Sequence, residues 1–285
     1  MKKIAVASGK GGVGKSMLAS GLISCWAKKQ KVVAIDADVD APNLHLWLGG
    51  VKNWDREEKI ATNEKAVVDQ AKCQLCRKCI KICQFGALSI KNSEVVVNRF
   101  FCEGCGACEV VCPQKAISLE LVKNAYLHTK KINSNLTLVS AQLLPGETGS
   151  GKVVDRLFQQ AAGFKADVLV VDIAAGTGCP VIAALKEVDQ VILVAEPTPS
   201  SRADLRRILP IVNHFRLPYY LVINKADLYR RLSRWLKQEY AANLIGEISY
   251  DQRIFRAISG LKPIMTTNLP AAGEIRSIWQ NLGRK

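Results

Sequence analysis

The stretch from residue 9 to residue 16 constrains this chain more than any other, because it fits the pattern G-x-x-x-x-G-K-[S/T]. A short apolar run, residues 3–7, precedes it, and a helical pattern over residues 16–29 follows it. Glycines let backbone N–H groups turn inward around phosphate oxygens, and the N-terminus of the next helix adds partial positive charge. The stretch therefore predicts a phosphate-binding loop, with Lys15 at the β- and γ-phosphates and Ser16 at Mg²⁺.

A second lysine, Lys10, makes the loop more specific. The run Lys-Gly-Gly-Val-Gly-Lys-Ser that begins at Lys10 resembles the deviant Walker A motif of the MinD/ParA/Mrp ATPases, which are related to the nitrogenase iron protein. In that family the early lysine reaches the nucleotide of the partner subunit. The resemblance implies an ATP-dependent homodimer in which Lys10 is catalytic together with Lys15. It also implies that the whole loop contacts nucleotide: Gly9, Lys10, Gly11, Gly12, Val13, Gly14, Lys15 and Ser16.

Two further apolar runs end in carboxylates. Residues 32–35 lead into Asp36 and Asp38, and residues 168–171 lead into Asp172. The carboxyl ends of parallel strands face the ligand crevice of such a sheet. The family resemblance implies that Asp36 and Asp172 join Ser16 around Mg²⁺ and that Asp38 orients the attacking water. A plainer alternative is that Asp36 only caps the turn that follows it.

The apolar run 219–223 ends in Asn-Lys-Ala-Asp, which begins at Asn224. This matches the N-K-x-D motif with which GTPases read guanine. In the resembled ATPases, however, an asparagine at this strand end reads adenine. We therefore expect Asn224 to bind the base and favour ATP, with GTP as the alternative.

Eight of the ten cysteines lie in two runs that repeat with an offset of 29 residues. Each run has the spacing C-x-x-C-x-x-C-x-x-x-C, and together they resemble a bacterial two-cluster ferredoxin spanning residues 63–122. In such proteins the fourth cysteine of each run ligates the other cluster. The resemblance therefore implies two [4Fe–4S] clusters, one held by Cys73, Cys76, Cys79 and Cys112 and the other by Cys102, Cys105, Cys108 and Cys83. Zinc is the alternative metal.

The two cysteine runs differ in glycine content at their third and fifth positions. Gly104 and Gly106 suit a close backbone approach to a cluster, whereas the first run has Leu75 and Arg77 there. Hydrogen bonding and charge set cluster potentials. We expect the two clusters to differ in potential, and the sequence leaves their order open.

Two isolated features complete the list of candidate positions. Residues 146–152 nearly copy the phosphate loop, but Val153 stands where Ser or Thr would bind Mg²⁺, so we expect a helix start near the dimer interface. Cys179 lies seven residues after Asp172 and is interpreted as a packed or redox-sensitive thiol, with a metal role as the alternative. Cys25 lies in the first helical pattern and is expected in the core.

The balance of 40 basic and 25 acidic residues gives a formal charge of +15, which in principle suits nucleic acid or an acidic membrane surface. The basic residues are scattered, and bound nucleotide and clusters would both be anionic. We therefore expect an acidic redox partner or a metallocofactor acceptor protein, and neither nucleic acid nor a membrane. No apolar run reaches about 18 residues, and the first apolar stretch is too short for a signal peptide, so we expect a cytoplasmic protein.

Together these patterns predict an α/β fold: a doubly wound, mainly parallel sheet of about seven strands with an inserted α+β ferredoxin-like unit. The expected division is residues 1–62 and 123–285 for the ATPase and 63–122 for the insertion. The leading hypothesis is an ATPase whose nucleotide-driven dimerisation is coupled to electron transfer through two clusters. The alternatives are an iron–sulfur cluster carrier or metallocofactor assembly ATPase, and a MinD/ParA-like positioning ATPase with a structural or sensory ferredoxin unit.

Overall fold

The computed structural model describes residues 1–284. Its strands are β1 Lys2–Ala7, β2 Val32–Ala37, β3 Arg56–Val68, β4 Leu88–Lys91, β5 Glu94–Val97, β6 Ile117–Asn133, β7 Leu136–Leu143, β8 Val168–Ile173, β9 Gln190–Ala195, β10 Tyr219–Asn224 and β11 Leu244–Ile248. Its helices are α1 Lys15–Ala27, α2 Leu44–Trp47, α3 Lys78–Ile82, α4 Ala107–Val110, α5 Ser150–Ala162, α6 Cys179–Leu185, α7 Pro199–His214, α8 Arg230–Glu239, α9 Arg253–Ser259 and α10 Pro270–Leu282, with a 3₁₀ turn at Ile264–Thr266.

The central sheet has nine strands in the order β11-β10-β9-β1-β8-β2-β7-β6-β3. From β11 to β7 every neighbouring pair is parallel, whereas β6 is antiparallel to β7 and β3 is antiparallel to β6. The interior strands β1, β2, β8 and β9 are buried almost throughout, which explains their unbroken apolar runs. The predicted α/β fold with a mainly parallel sheet is confirmed.

Helices cover both faces of the sheet. One core lies between the sheet and helices α5, α6, α7 and α8, and the other lies between the sheet and helices α1 and α10. The C-terminal stripe of Ile275, Ile278 and Leu282 packs into the second core, so α10 closes the fold as expected. Within residues 1–284, no helix has the length and apolarity that crossing a bilayer requires.

The hairpin of β3 and β6 corrects one expectation. The lack of apolar periodicity over residues 49–66 predicts a connection, but β3 pairs with β6 from Arg56↔Thr129 to Val68↔Ile117. One face of this edge strand meets solvent, so charged residues alternate with buried ones and the apolar signal is diluted. Both strands also run without interruption through the expected unit boundaries at 62/63 and 122/123.

The cysteine-rich lobe, residues 69–116, extends from the far end of this hairpin. Its backbone repeats with the same offset of 29 as its sequence, since helix α4 begins 29 residues after helix α3. Strand pairing repeats as well: Leu88↔Val97 is the counterpart of Ile117↔Val68. A small core of its own, which includes cysteines, holds the lobe together.

Candidate functional site

The loop between β1 and α1 lies at the carboxyl edge of the parallel sheet. Gly14 has a φ of 89°, and a Cβ there would overlap the side-chain amide of Asn224. Gly11 and Gly12 instead face open space. Among residues 1–284, no oxygen accepts a hydrogen bond from the N–H groups of residues 11–14. The loop therefore presents free donors toward solvent, which is the arrangement that an anionic ligand needs.

Lys15, Asp172 and Asp36 form a buried charged centre behind the loop. The Lys15 Nζ lies 2.7 Å from the Asp172 Oδ1, and Asp36 faces Asp172 in the β2–β8 register. Burial raises the pKa of Asp36 to about 8, and the Asp172 carboxylate adds to the rise. Within the described chain the Asp172 Oδ2 is buried without a hydrogen-bond partner. Two buried carboxylates with one cation have the charge and the oxygen donors that suit a further divalent cation.

Asp36 and Asp38 differ in their contacts. Asp36 also accepts hydrogen bonds from the Leu44 N–H at 2.9 Å and the Asp38 N–H at 3.3 Å, so it does hold the start of α2. Asp38 is half-buried, and burial raises its pKa while the nearby Lys15 opposes that rise. Asp36 thus caps the turn that follows it, and Asp38 lies near the same charged centre. The Mg²⁺ role of Asp36 and the water-orienting role of Asp38 stay predictions.

Lys10 folds back onto its own protomer. Its Nζ lies 2.6 Å from the Glu196 Oε1 and donates to the hydroxyls of Thr198 and Ser200 at 3.1 and 2.8 Å. Glu196 also pairs with Lys225 at 2.8 Å. Burial alone would raise the pKa of Glu196, but hydrogen bonds from the two lysines outweigh it and lower the pKa. Sequence reasoning missed Glu196, although its place directly after a buried strand was a usable signal.

Asn224 ends β10, which lies two strands from β1 in the sheet, and it supports the phosphate loop. Its Nδ2 donates to the Val13 carbonyl at 2.7 Å, and its Oδ1 accepts from the Lys225 N–H at 3.0 Å. The Lys225 Nζ donates to the Gly12 carbonyl at 3.1 Å. The side chain is buried against the loop, and its predicted contact with adenine stays a prediction.

Residues 4–264 match the family described as the CobQ/CobB/MinD/ParA nucleotide binding domain. The chain belongs to this family. A Methanocaldococcus jannaschii protein, MJ0578, is 32% identical over 280 residues, which cover 98% of this chain and 96% of the relative. MinD from Aquifex aeolicus has a TM-score of 0.61 at 20% identity, covering 100% of this chain and 98% of its own. MinD from Pyrococcus horikoshii in complex with Mg-ADP has a TM-score of 0.60 at 16% identity, with 99% and 95% covered.

Members of the MinD/ParA group are nucleotide-binding ATPases, and the chain shares their fold. The match begins within β1 and ends at the 3₁₀ turn, so it includes the phosphate loop, both aspartate-bearing strands and Asn224. The predicted membership of the MinD/ParA superfamily is confirmed at this level.

Two cavities lie in the cysteine-rich lobe of this MinD/ParA-family chain. The two cavities are small and of similar size. The walls of the first include Cys73, Cys76, Cys79 and Cys112. The walls of the second include Cys83, Cys102, Cys105 and Cys108. These are the two interleaved groups of the sequence analysis. Within residues 1–284, no three His, Cys, Asp or Glu side chains converge closely enough to hold a single metal ion.

Backbone donors approach several of these sulfurs. The Ala116 N–H donates to the Cys112 Sγ at 3.3 Å, and its counterpart, the Ala87 N–H, donates to the Cys83 Sγ at 3.3 Å. Burial raises the pKa of the Cys79 thiol and of its counterpart Cys108. Such thiols stay protonated near neutral pH unless a cation replaces the proton.

The remaining cysteines and the second glycine loop fall outside both cavities. Cys25 is buried in α1, where burial raises its pKa, and Cys179 is exposed at the start of α6. The segment that copies the phosphate loop begins α5 at Ser150, as predicted, and Val153 is fully buried. This loop packs on the β3–β6 hairpin, where the Asn63 Nδ2 donates to the Thr148 Oγ1 at 2.7 Å.

Proposed function

We propose that the chain is an ATP-hydrolysing iron–sulfur protein in which nucleotide-driven dimerisation is coupled to electron transfer through two [4Fe–4S] clusters. The observation that carries the proposal is the grouping of eight cysteines around two cavities of similar size in a MinD/ParA-family chain. A [4Fe–4S] cluster supplies one-electron redox chemistry when bound. The loop between β1 and α1, at the carboxyl edge of the same sheet, would bind the nucleotide.

The cavities fit a four-iron cluster better than a single ion. A lone zinc needs its sulfur ligands about 2.3 Å away, so the sulfurs must converge on one point. Four cysteines that bind four separate irons instead line the walls of a larger space. The cysteine walls and the N–H donors at Cys112 and Cys83 agree with the second arrangement. Cys73, Cys76, Cys79 and Cys112 would hold one cluster, and Cys102, Cys105, Cys108 and Cys83 the other.

At the nucleotide end, the free N–H groups of residues 11–14 would bind phosphate oxygens, and Lys15 would turn from Asp172 toward them. Ser16, Asp36 and Asp172 would hold Mg²⁺, and the raised pKa of Asp36 would fall once the cation offsets its charge. Asp38 would orient the attacking water. Lys10 would exchange Glu196 for the nucleotide of the partner subunit in a homodimer.

A chain of contacts could transmit a change at Asp36 to the hairpin. Asp36 holds the start of α2, whose His45 lies with its ring centroid 5.8 Å from that of Trp54. The Trp54 ring stacks on His128 of β6 at 4.7 Å, and His128 lies 3.0 Å from Glu57 of β3. A movement of α2 would therefore press on both strands that carry the cysteine-rich lobe.

The second candidate is a positioning ATPase in which the cysteine-rich lobe is structural or sensory. This candidate is suggested by the MinD structures above, which are described as cell-division and septum site-determining proteins. Their identities of 20% and 16%, however, support a shared fold and leave the role open. This candidate predicts ATP-dependent binding to vesicles or DNA that survives removal of the cysteine ligands.

The test is anaerobic reconstitution of the full chain with iron and sulfide, alongside the double variant Cys76→Ser/Cys105→Ser as a matched control. We expect about eight irons per wild-type chain from two four-iron clusters and fewer in the variant. We also expect ATP hydrolysis or ATP-dependent dimerisation to differ between oxidised and dithionite-reduced protein. Wild-type protein that binds no iron, or ATPase rates that ignore the redox state, would contradict the proposal. Vesicle or DNA binding by both proteins would instead support the positioning role.

A further inference from the structure

A lysine lies buried beside the second cavity. Lys65 of β3 is 1% exposed, and its Nζ donates to the Cys102 carbonyl at 2.7 Å. Lysine side chains are almost never fully buried unless they are paired. The charge of Lys65 is therefore held next to a cysteine of the second group by the fold itself, away from solvent.

The counter-ion of this lysine belongs to a different segment. The Glu147 Oε2 lies 3.5 Å from the Lys65 Nζ, and the Thr148 Oγ1 lies 3.4 Å from it. Both residues belong to the loop between β7 and α5, which the Asn124 Nδ2 fixes through the Thr148 carbonyl at 3.0 Å. The Glu147 side chain is 19% exposed, so water reaches the acid but not the lysine. The positive end of the pair points at Cys102.

The internal repeat supplies a built-in comparison. An offset of 29 makes Glu94 the counterpart of Lys65, next to a wall residue of the first cavity, and Glu94 is exposed on β5. Basic side chains do line the first cavity, namely Arg77 and Lys78, but both are exposed. Water and salt screen exposed charges strongly, whereas a buried charge acts through a medium of lower dielectric. The buried lysine is therefore the larger electrostatic difference between the two sites.

We propose that Lys65 raises the reduction potential of the second cluster site above that of the first, and that Glu147 limits the rise. The inference rests on the proposed function, because it requires clusters at both sites. Reduction adds one electron to a cluster, and dithionite is the donor in the experiment below. Because the site becomes more negative by one charge, a fixed cation beside it favours the reduced form. An electron that enters the lobe would then reduce the second cluster in preference to the first.

The experiment is a redox titration of the reconstituted full chain with dithionite, followed by EPR, in wild type and three variants. Lys65→Met removes the cation and keeps a side chain of similar length, and Glu147→Gln removes only the counter-charge. Glu94→Gln makes the same chemical change at the counterpart of Lys65 beside the first cavity and is the matched control. We expect two separate potentials in wild type. The higher one should move down in Lys65→Met and up in Glu147→Gln, while Glu94→Gln should leave it unchanged.

The outcomes separate this inference from the function on which it rests. A wild-type chain that takes up no iron overturns both. A chain that carries about eight irons but whose higher potential ignores Lys65→Met and Glu147→Gln overturns the inference alone. The same holds if Lys65→Met moves the lower potential instead. If Lys65→Met fails to retain iron, Glu147→Gln is the test: a rise of the higher potential supports the inference, and no rise overturns it.

Discussion

The Lys15 Nζ lies 2.7 Å from the Asp172 Oδ1, and both side chains are buried in a centre that also contains Asp36. Removing one partner of such a pair leaves the other charge without compensation, which costs roughly 3–5 kcal/mol. We expect Lys15→Met to lower the free energy of unfolding by about that amount and to abolish ATP hydrolysis.

The double variant Lys15→Met/Asp172→Asn is the control for this pair. It removes both charges, so it should recover much of the lost stability without recovering hydrolysis. Urea unfolding of the nucleotide-free proteins measures the first effect, and phosphate release measures the second. If Lys15→Met were as stable as wild type, the ion pair between Lys15 and Asp172 would not contribute to the stability of the fold.

The raised pKa of Asp36 predicts a pH dependence of stability. The folded protein keeps Asp36 protonated up to a pKa of about 8, whereas the ordinary value is 3.8. The stabilising effect of the proton is therefore complete below about pH 4 and is lost as the pH rises toward 8, with a slope of at most about 1.4 kcal/mol per pH unit. In Asp36→Asn this slope should disappear, so the variant should melt higher than wild type at pH 8.

Thermal melts at pH 5 and pH 8 in EDTA, without nucleotide, measure this difference. Asp40→Asn is a suitable control, since Asp40 is an exposed carboxylate of the same segment. If Asp36→Asn and Asp40→Asn showed the same pH dependence, Asp36 would not be the titrating group.

Lys10 is expected to matter for assembly rather than for folding. In the single protomer it pairs with Glu196 at a partly exposed position, where an ion pair contributes at most about 1 kcal/mol. Lys10→Ala should therefore melt within a few degrees of wild type yet fail to dimerise with a non-hydrolysable ATP analogue. Gel filtration measures the dimer. Lys28→Ala, which removes an exposed lysine after α1, should dimerise normally.

The interleaving of the cysteines predicts which substitutions resemble each other. Cys83→Ser should alter the same EPR signal as Cys102→Ser, because both residues line the second cavity. Cys112→Ser should instead resemble Cys73→Ser. Cys179→Ser lies outside both cavities and should retain about eight irons. A match between Cys83→Ser and Cys73→Ser would mean that each sequence run binds its own cluster.

Backbone conformation in the lobe predicts opposite effects at equivalent positions. Arg77 adopts a φ of 62° where its counterpart Gly106 adopts 76°. A left-handed conformation costs a non-glycine residue about 1–2 kcal/mol. Replacing such a residue by glycine removes this strain, and the relief outweighs the entropy that the more flexible glycine loses on folding. Arg77→Gly should thus stabilise the protein slightly, by less than about 1 kcal/mol, and Gly106→Ala should destabilise it by about 1 kcal/mol.

Gly104 provides the more severe case in the same loop. Its φ is 66°, and a Cβ there would overlap the Glu64 carbonyl of β3. Gly104→Ala should therefore lose at least about 2 kcal/mol, since steric overlap adds to backbone strain. Chemical denaturation of the three variants under identical metal loading measures the order. Equal effects at 104 and 106 would argue against the close contact with β3.

The parallel strands and the phosphate loop could be predicted from the sequence, because short apolar runs and glycine patterns mark them. The strands that end at Asp36, Asp172 and Asn224 were placed correctly because a parallel strand buried on both faces has no polar interruptions. The resemblance to ferredoxins implied the two interleaved groups of cysteines that line the cavities, and cluster binding by these groups stays a prediction.

What the sequence hid were the contacts between distant segments. The long strand β3 was missed because its charged residues face water on one side. Lys65 looked like any surface lysine until Glu147 was placed against it by the packing of α5. Glu196 was likewise an ordinary carboxylate until two lysines from separate loops met it. Pairings of this kind depend on tertiary packing and leave no local pattern.

Strands β3 and β6 have a consequence for insertion or removal of the cysteine-rich lobe. The lobe leaves the sheet at Val68 and returns at Ile117, and these two residues are paired directly across the hairpin. Its entry and exit therefore coincide in space, so a tight turn of a few residues could replace everything between them without moving the rest of the sheet. We therefore expect the nine-stranded sheet to fold when such a turn replaces the lobe.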